Sequence, residues 1–307
     1  MKKNGCNGFG CTRRGISVLL AMLLTLVMVF ALSGCSGGSG SEEAGSGAEA
    51  AEEEAAEKVT VNVFAAASLG QVMSDFESSF EAENPGVDIV INADSSGTLM
   101  TQIEEGAPCD LFFSAAQKQM DELSEKSLVD DESRVNVVNN QLAVITQTDS
   151  ETAVTGLNNI GSAKSIALAD GSVPVGKYTR QAMIKLGLLA EADDPAAITT
   201  AEVSEQLGGV EISEQGNVSK VLTAVEEGSC EVGTTYVSDT IGHEDKIRII
   251  ETVGYDVTGD IIYPAALIVN KDAGDAEKSA AKDFLAYITN DKAKELYQKY
   301  GFDTDVE

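Results

Sequence analysis

A strand that closes on a small-residue turn and reopens as a helix constrains most of what this chain can become. In residues 59–80, Val59, Val61 and Val63 alternate with Thr60 and Asn62, and the run ends in Ala65, Ala66, Ala67 and Ser68, the pattern of a strand feeding a tight turn. Leu69, Val72, Met73, Phe76 and Phe80 then recur at helical spacing, which predicts Ser68 at the N-cap of an amphipathic helix. Such a helix start leaves backbone N–H groups unpaired and carries the positive end of the dipole. With a Ser hydroxyl beside it, the unit suits an anion. Taken alone, Ser68 reads as an ordinary helix cap.

The unit is then repeated. Residues 87–99 run through a strand into Ser95 and Ser96 and a helix bearing Leu99. Residues 165–178 do the same, with Pro174 in the first helical turn, where its missing N–H is no loss. A further helix start follows Gln215, Gly216 and Asn217, with Val218, Val221, Leu222 and Val225 as its apolar face. Four helix N-termini are therefore available to converge on one ligand.

The first 35 residues read as an export leader: Lys2, Lys3, Arg13 and Arg14 without an acid, then a mostly apolar run over 16–32. It ends in Leu32-Ser33-Gly34-Cys35, which resembles the lipobox of bacterial lipoproteins and implies that Cys35 is acylated. The alternative, an uncleaved membrane anchor, also puts the rest outside the membrane. Residues 36–57 contain Gly, Ser, Ala and Glu with nothing apolar larger than Ala, the composition of a disordered acidic tether. A flexible chain of that length spans about 25 Å.

Loss of the leader's four cations takes the net charge from −29 to about −33, which makes nucleic acid an unsuitable partner. Screening removes the repulsion of small anions beyond about 8 Å, so local dipoles decide what binds. Of five cysteines, Cys109 and Cys230 fall in the folded part. Each precedes a short strand, and they read as two buried free thiols, with a disulfide as the alternative.

Strand patterns at 59–64, 87–92, 111–114, 141–146, 165–169, 233–236 and 266–270 alternate with helical stretches, predicting an α/β fold with largely parallel sheets. The last helices, expected at 276–289 and 291–300, need a sheet to pack on, and the first three strands are the natural one. No Gly-rich dinucleotide or P-loop motif is present. His243 lies in Gly-His-Glu-Asp without a partner at helical spacing, so a polar loop is favoured over a cation site. No Gly-x-Ser-x-Gly elbow supports a hydrolase.

Residues 65–69 (Ala-Ala-Ala-Ser-Leu), 95–99 (Ser-Ser-Gly-Thr-Leu), 105–112 (Glu-Gly-Ala-Pro-Cys-Asp-Leu-Phe), 173–178 (Val-Pro-Val-Gly-Lys-Tyr) and 236–239 (Tyr-Val-Ser-Asp) together resemble the molybdate-binding substrate-binding proteins of ABC importers. Tyr263-Pro264 and Tyr300-Gly301-Phe302 fit the same family. The resemblance covers nearly all of 59–302. It implies a two-lobed, periplasmic-binding-protein-like (type II) fold with lobe one at 58–139 plus 265–307 and lobe two at 140–264. The crossings would then fall near 139–141 and 262–264, separating Cys109 from Cys230. It further implies an oxyanion held by the hydroxyls of Ser68, Ser96 and Tyr236 and by the backbone N–H groups of Val175 and Val218. Three departures stand out: Gly97 where a third Ser is common, Asp94 ahead of the serines, and the turn Glu214-Gln215-Gly216-Asn217 before the last helix start.

The resulting expectation is a monomeric, lipid-anchored protein on the extracytoplasmic face of the membrane. It captures molybdate or tungstate for an ABC permease, with no cofactor, catalytic residue or direct cation site. Sulfate or another oxyanion is the alternative ligand. From a different class, an extracellular hydrolase would use Ser68 as nucleophile. Without the resemblance, Tyr236 reads as an ordinary half-buried aromatic and Lys177 and Lys220 as solvated surface charges.

Overall fold

Among the residues described by the computed structural model, 58–306, ten strands build two five-stranded sheets. The leader, Cys35 and the tether lie outside the described residues. The chain first makes β1 (Val59–Ala66), β2 (Val87–Asp94), β3 (Leu111–Phe113) and β4 (Val135–Asn140). It enters the second sheet for β5 (Leu142–Gln147), β6 (Ser165–Ala169), β7 (Glu211–Gln215), β8 (Val232–Tyr236) and β9 (Ile247–Thr252), then returns for β10 (Ile261–Leu267). The strand orders are β2-β1-β3-β10-β4 and β7-β6-β8-β5-β9.

The two orders are the same plan used twice. β1 pairs in parallel with β2 and β3, and β6 in parallel with β7 and β8. One strand in each sheet runs against the rest, β10 in the first and β5 in the second. Both antiparallel strands are the ones that arrive directly from the other sheet. Helices cover the faces: α1 (Gly70–Glu83), α2 (Ser96–Glu104), α3 (Gln117–Glu125), α4 (Pro174–Lys185), α5 (Thr200–Gln206), α6 (Val218–Glu226), α7 (Tyr255–Thr258), α8 (Asp275–Ile288) and α9 (Asp291–Lys299). The result is a two-lobed α/β fold with mostly parallel sheets.

α8 and α9 pack where the apolar pattern requires. Phe80 of α1 meets Phe284 of α8 edge to face at 5.0 Å, and Phe76 lies 5.1 Å from Tyr297 of α9. Aromatic pairs of this geometry add about 0.5–1.5 kcal/mol beyond the area they bury. The C-terminal helices thus close the core over the first sheet.

The crossings are tied to each other. Asn139, buried at the end of β4, accepts from the N–H of Ile261 at 2.8 Å and donates to Asp260 at 2.9 Å. The return strand begins at Ile261, so residues 262–264, expected as a crossing, lie inside β10, and the strand expected at 266–270 ends at Leu267. Pro264 is accommodated because the pairing of β10 with β4 shifts register between Tyr263 and Pro264. Cys109 and Cys230 are both buried and free. Burial pushes the Cys109 thiol far above its ordinary range, which makes it unreactive.

Candidate anion-binding site

Six strand ends, or the turns that follow them, meet around one small cavity. It is lined by Ala66, Ala67, Ser68, Ser95, Ser96, Ala115, Val173, Pro174, Val175, Asn217, Val218 and Tyr236. All five residues named from the sequence, Ser68, Ser96, Val175, Val218 and Tyr236, are in this lining. None of the lining side chains is charged, and Lys177 and Lys220 are not among them.

Ser68 reaches the cavity by a different local route from the one expected. It lies inside a 3-10 turn (Ala67–Leu69) ahead of α1 and makes no cap; the turn's N-cap is Ala66, with no side-chain cap bond. The Ser68 hydroxyl instead lies 2.9 Å from the Tyr263 hydroxyl. Tyr263 also accepts from the Asn140 amide at 3.1 Å, and that amide donates to Ser238 at 2.9 Å. Packing beside β10, rather than capping, determines where Ser68 points.

The second unit divides its two serines between tasks. Ser95 caps α2, accepting from the N–H of Thr98 at 3.1 Å. Ser96 is 1% exposed and accepts from the N–H of Ala115 at 2.9 Å. That bond uses one of the two lone pairs of the Ser96 hydroxyl and leaves its hydrogen free to be donated.

α4 and α6 contribute backbone. Pro174 occupies the first position of α4, so the N–H of Val175 stands in the first turn without an intrahelical acceptor. Asn217 caps α6 by accepting from the N–H of Lys220 at 3.0 Å, which leaves the N–H groups before it, at Val218 and Ser219, unmatched by the helix. Both helices present their positive ends to the cavity.

Tyr236 ends β8 at 1% exposure, edge to face with Tyr263 at 5.9 Å. Its hydroxyl is buried with no hydrogen-bond partner among the described residues. Burial pushes its pKa well above the ordinary tyrosine range, and Tyr263, Tyr178 and Asp239 push it further. Tyr236 is therefore a neutral donor at any physiological pH, and among the described residues no acceptor meets its hydroxyl at hydrogen-bond geometry.

The surroundings bear on the three departures. Asp94 is outside the lining: its Oδ1 accepts from the N–H of Ser95 at 2.7 Å and from Asn217 of the other lobe at 3.0 Å. A Cβ on Gly97 would come 3.1 Å from the Ser172 carbonyl oxygen, so the lobes approach closely at that glycine. The turn before α6 supplies the Asn217 cap. His243 sits in the neighbouring groove, its Nδ1 2.5 Å from Glu226 and its Nε2 3.2 Å from Gln71. Among the described residues no group of His, Cys, Asp and Glu side chains is placed to hold a metal ion.

Sequence reasoning missed Asn140 as the residue that orients Tyr263, and Arg180. The latter sits on the buried face of α4 that also carries Gly176, Thr179 and Met183. A cation in that register was its signal.

Two lobes joined by paired crossings, with a small uncharged cavity lined by turns of both sheets, are the architecture of a solute-binding protein. The chain belongs to the family of bacterial extracellular solute-binding proteins, whose family model matches residues 61–303. It is 32% identical over 257 residues, 80% of this chain and 90% of the other, to the molybdate-binding protein ModA of Escherichia coli. It is 28% identical over 287 residues, 93% of this chain and 97% of the other, to YvgL of Bacillus subtilis, whose name provisionally calls it an ABC transporter substrate-binding lipoprotein. Among solved structures, the substrate-binding domain of a provisionally assigned molybdenum ABC transporter from Clostridium difficile matches with a TM-score of 0.58 and 30% identity, covering 81% of this chain and all of that one.

Proposed function

We propose that this protein captures a tetrahedral oxyanion, molybdate or tungstate, outside the cytoplasm and delivers it to an ABC permease. The observation that carries this reading is the Tyr236 hydroxyl, buried without a partner in a cavity of uncharged donors. A bound oxyanion supplies the missing acceptor. Ser68, Ser96 and Tyr236 donate through hydroxyls, Val175 and Val218 through backbone N–H groups, and two helix dipoles add to them. The sequence similarity to ModA supports molybdate as the ligand.

The donor set also supports selectivity. Molybdate, tungstate and sulfate are fully deprotonated at neutral pH and need only donors, whereas phosphate retains a proton that would be buried unsatisfied at a cost of about 1–3 kcal/mol. Asp94, next to Ser95 in the sequence, is committed to the N–H of Ser95 and to Asn217, and Asp239 to Thr235 and the N–H of Tyr236. Sulfate, with shorter bonds to oxygen, remains the alternative ligand and reaches the same donors at stretched distances.

Binding rather than catalysis is supported by the partners of Ser68 and His243. Ser68 is paired with Tyr263, and both ring nitrogens of His243 are engaged by Glu226 and Gln71, so no base is held against the serine. The strand pairing supports the lobe division read from the sequence, 58–139 with 265–307 against 140–264, but moves its second boundary to about residue 260. Acylation of Cys35 and a monomeric state complete the proposal; the lipoprotein in the name of YvgL supports the former. Mass spectrometry of the membrane-extracted protein should find a lipid on Cys35 as the new N-terminus, and an unmodified N-terminus elsewhere overturns the anchor.

Calorimetric titration with a panel of oxyanions tests the ligand. Molybdate and tungstate should bind tightly, sulfate weakly and phosphate least, and phosphate matching molybdate overturns the assignment. Tyr236→Phe removes one charge-assisted bond worth about 1.5–3 kcal/mol, so affinity should fall about 10- to 100-fold. The unliganded variant should melt no lower than the parent, because the lost hydroxyl has no partner there. Parental affinity in Tyr236→Phe places the ligand elsewhere.

A further inference from the structure

The structure places one full positive charge behind this uncharged site, and we propose that Arg180 sets its preference for doubly charged ligands. This rests on the oxyanion reading above and extends it to the question of charge. A dianion in a lining of neutral donors keeps most of its charge uncompensated, and such a charge is costly to hold away from water.

Arg180 is fully buried, one of the largest side chains among the described residues to be so. Its Nη1 donates to the carbonyl oxygens of Ala169 at 2.8 Å and Gly176 at 2.9 Å. Its Nε donates to Ile198 at 2.8 Å, and Nη2 lies 3.3 Å from the Thr200 hydroxyl. The first two acceptors bracket the turn that carries Val173, Pro174 and Val175 into the cavity. The guanidinium therefore sits directly behind the N-terminus of α4, on the side away from the ligand.

Every one of those partners is neutral. Arg180 makes no ion pair among the described residues, and the carboxylates nearest in effect, Asp170 and Glu214, act on it only at longer range. Asp170 is itself occupied by the N–H and hydroxyl of Ser172. The Thr200 hydroxyl beside Nη2 donates in turn to Glu214, so that carboxylate and Asp170 offset part of the charge, but neither pairs with the guanidinium directly and the remaining field reaches the cavity. Its effect on affinity scales with ligand charge, so a dianion gains twice what a monoanion of the same shape gains. Arg180 is thus a specificity-determining residue that touches no ligand.

Perrhenate is the probe: a tetrahedral oxyanion close to molybdate in size, with one negative charge instead of two. Titrations of the parent, Arg180→Met and Arg180→Lys with molybdate and with perrhenate, alongside melting of the unliganded proteins, separate charge from structure. The parent should prefer molybdate strongly. Arg180→Met should lose roughly ten- to thirtyfold more affinity for molybdate than for perrhenate. Arg180→Lys, even if weaker for both, should keep the parental ratio. Equal losses for the two anions in Arg180→Met, or an altered ratio in Arg180→Lys, reduce Arg180 to a structural brace and overturn the proposal. Should neither variant fold, the parent alone still decides: perrhenate bound as tightly as molybdate overturns it. A parent that binds neither anion refutes the oxyanion reading itself, a distinct result.

Discussion

Gly176→Ala is expected to destabilise the protein by about 3 kcal/mol or more, the upper end of overpacking effects, and to abolish measurable oxyanion binding. Gly176 sits in the first turn of α4, one residue after Val175. A Cβ built there would lie 2.5 Å from the Ala169 carbonyl oxygen and closer still to that of Asp170. Both obstacles are backbone at the end of β6, and the first is also held by Arg180, so neither can swing aside. The N-terminus of α4 must retreat, and the Val175 N–H retreats with it. Urea unfolding and molybdate titration check both effects. Gly97→Ala is the control: its added methyl meets only the Ser172 carbonyl across the lobes, so it should weaken closure on the ligand and spare the unliganded fold. Parental stability in Gly176→Ala would mean the turn is far softer than its contacts imply.

Asp239→Asn should make the unliganded protein more stable at neutral pH by about 2–3 kcal/mol, an advantage that disappears near pH 4. Burial raises the Asp239 pKa from its ordinary 3.8 to about 6, against the lowering effects of the Thr235 hydroxyl and the Tyr236 N–H. A folded-state pKa above the unfolded value means that folding favours the protonated form. The stabilisation from that proton is fully present below about 3.8 and is lost as pH rises through about 6. Above that range the native protein carries a buried carboxylate at a cost. Asparagine removes the charge and can still accept from Thr235 and Tyr236 through one oxygen, as Asp239 does. Chemical unfolding of parent and variant across pH 4–8 should show their difference growing from near zero. A variant less stable at pH 7, or a pH-independent difference, overturns this account.

The elements legible from the sequence are those whose side chains alternate against a core. β1, β2 and β6 begin where Val59, Val87 and Ser165 predicted, because branched apolar residues at period two have few other uses. β7 was invisible: Glu211-Ile-Ser-Glu-Gln offers a single apolar residue, and its pairing with β6 at the sheet edge uses backbone alone. β9, also at an edge, interrupts its isoleucines with Arg248 and Glu251, which hides it for the same reason. Ser68 was legible as a candidate, and it lines the cavity, but its orientation was not legible, because Tyr263 lies 195 positions away. Asn140 and Arg180 share that history. Each acts through bonds to partners that only the folded chain brings near.

The contacts of Asn140 have a directional consequence. Its Oδ1 accepts from the N–H of Gln141 at 2.9 Å, so the amide cannot flip, and its nitrogen is bound to donate to Tyr263. The Tyr263 oxygen is thereby made an acceptor, and its single hydrogen is left for Ser68. Ser68 in turn has its hydrogen free for the cavity. Polarity is handed along from the point where the chain crosses between lobes, through amide, phenol and hydroxyl, to the cavity, and each bond in such a sequence strengthens the next by about 10–30%. A guest that asked Ser68 for a lone pair would share its oxygen with Tyr263 and leave the hydroxyl hydrogen without an acceptor in the cavity.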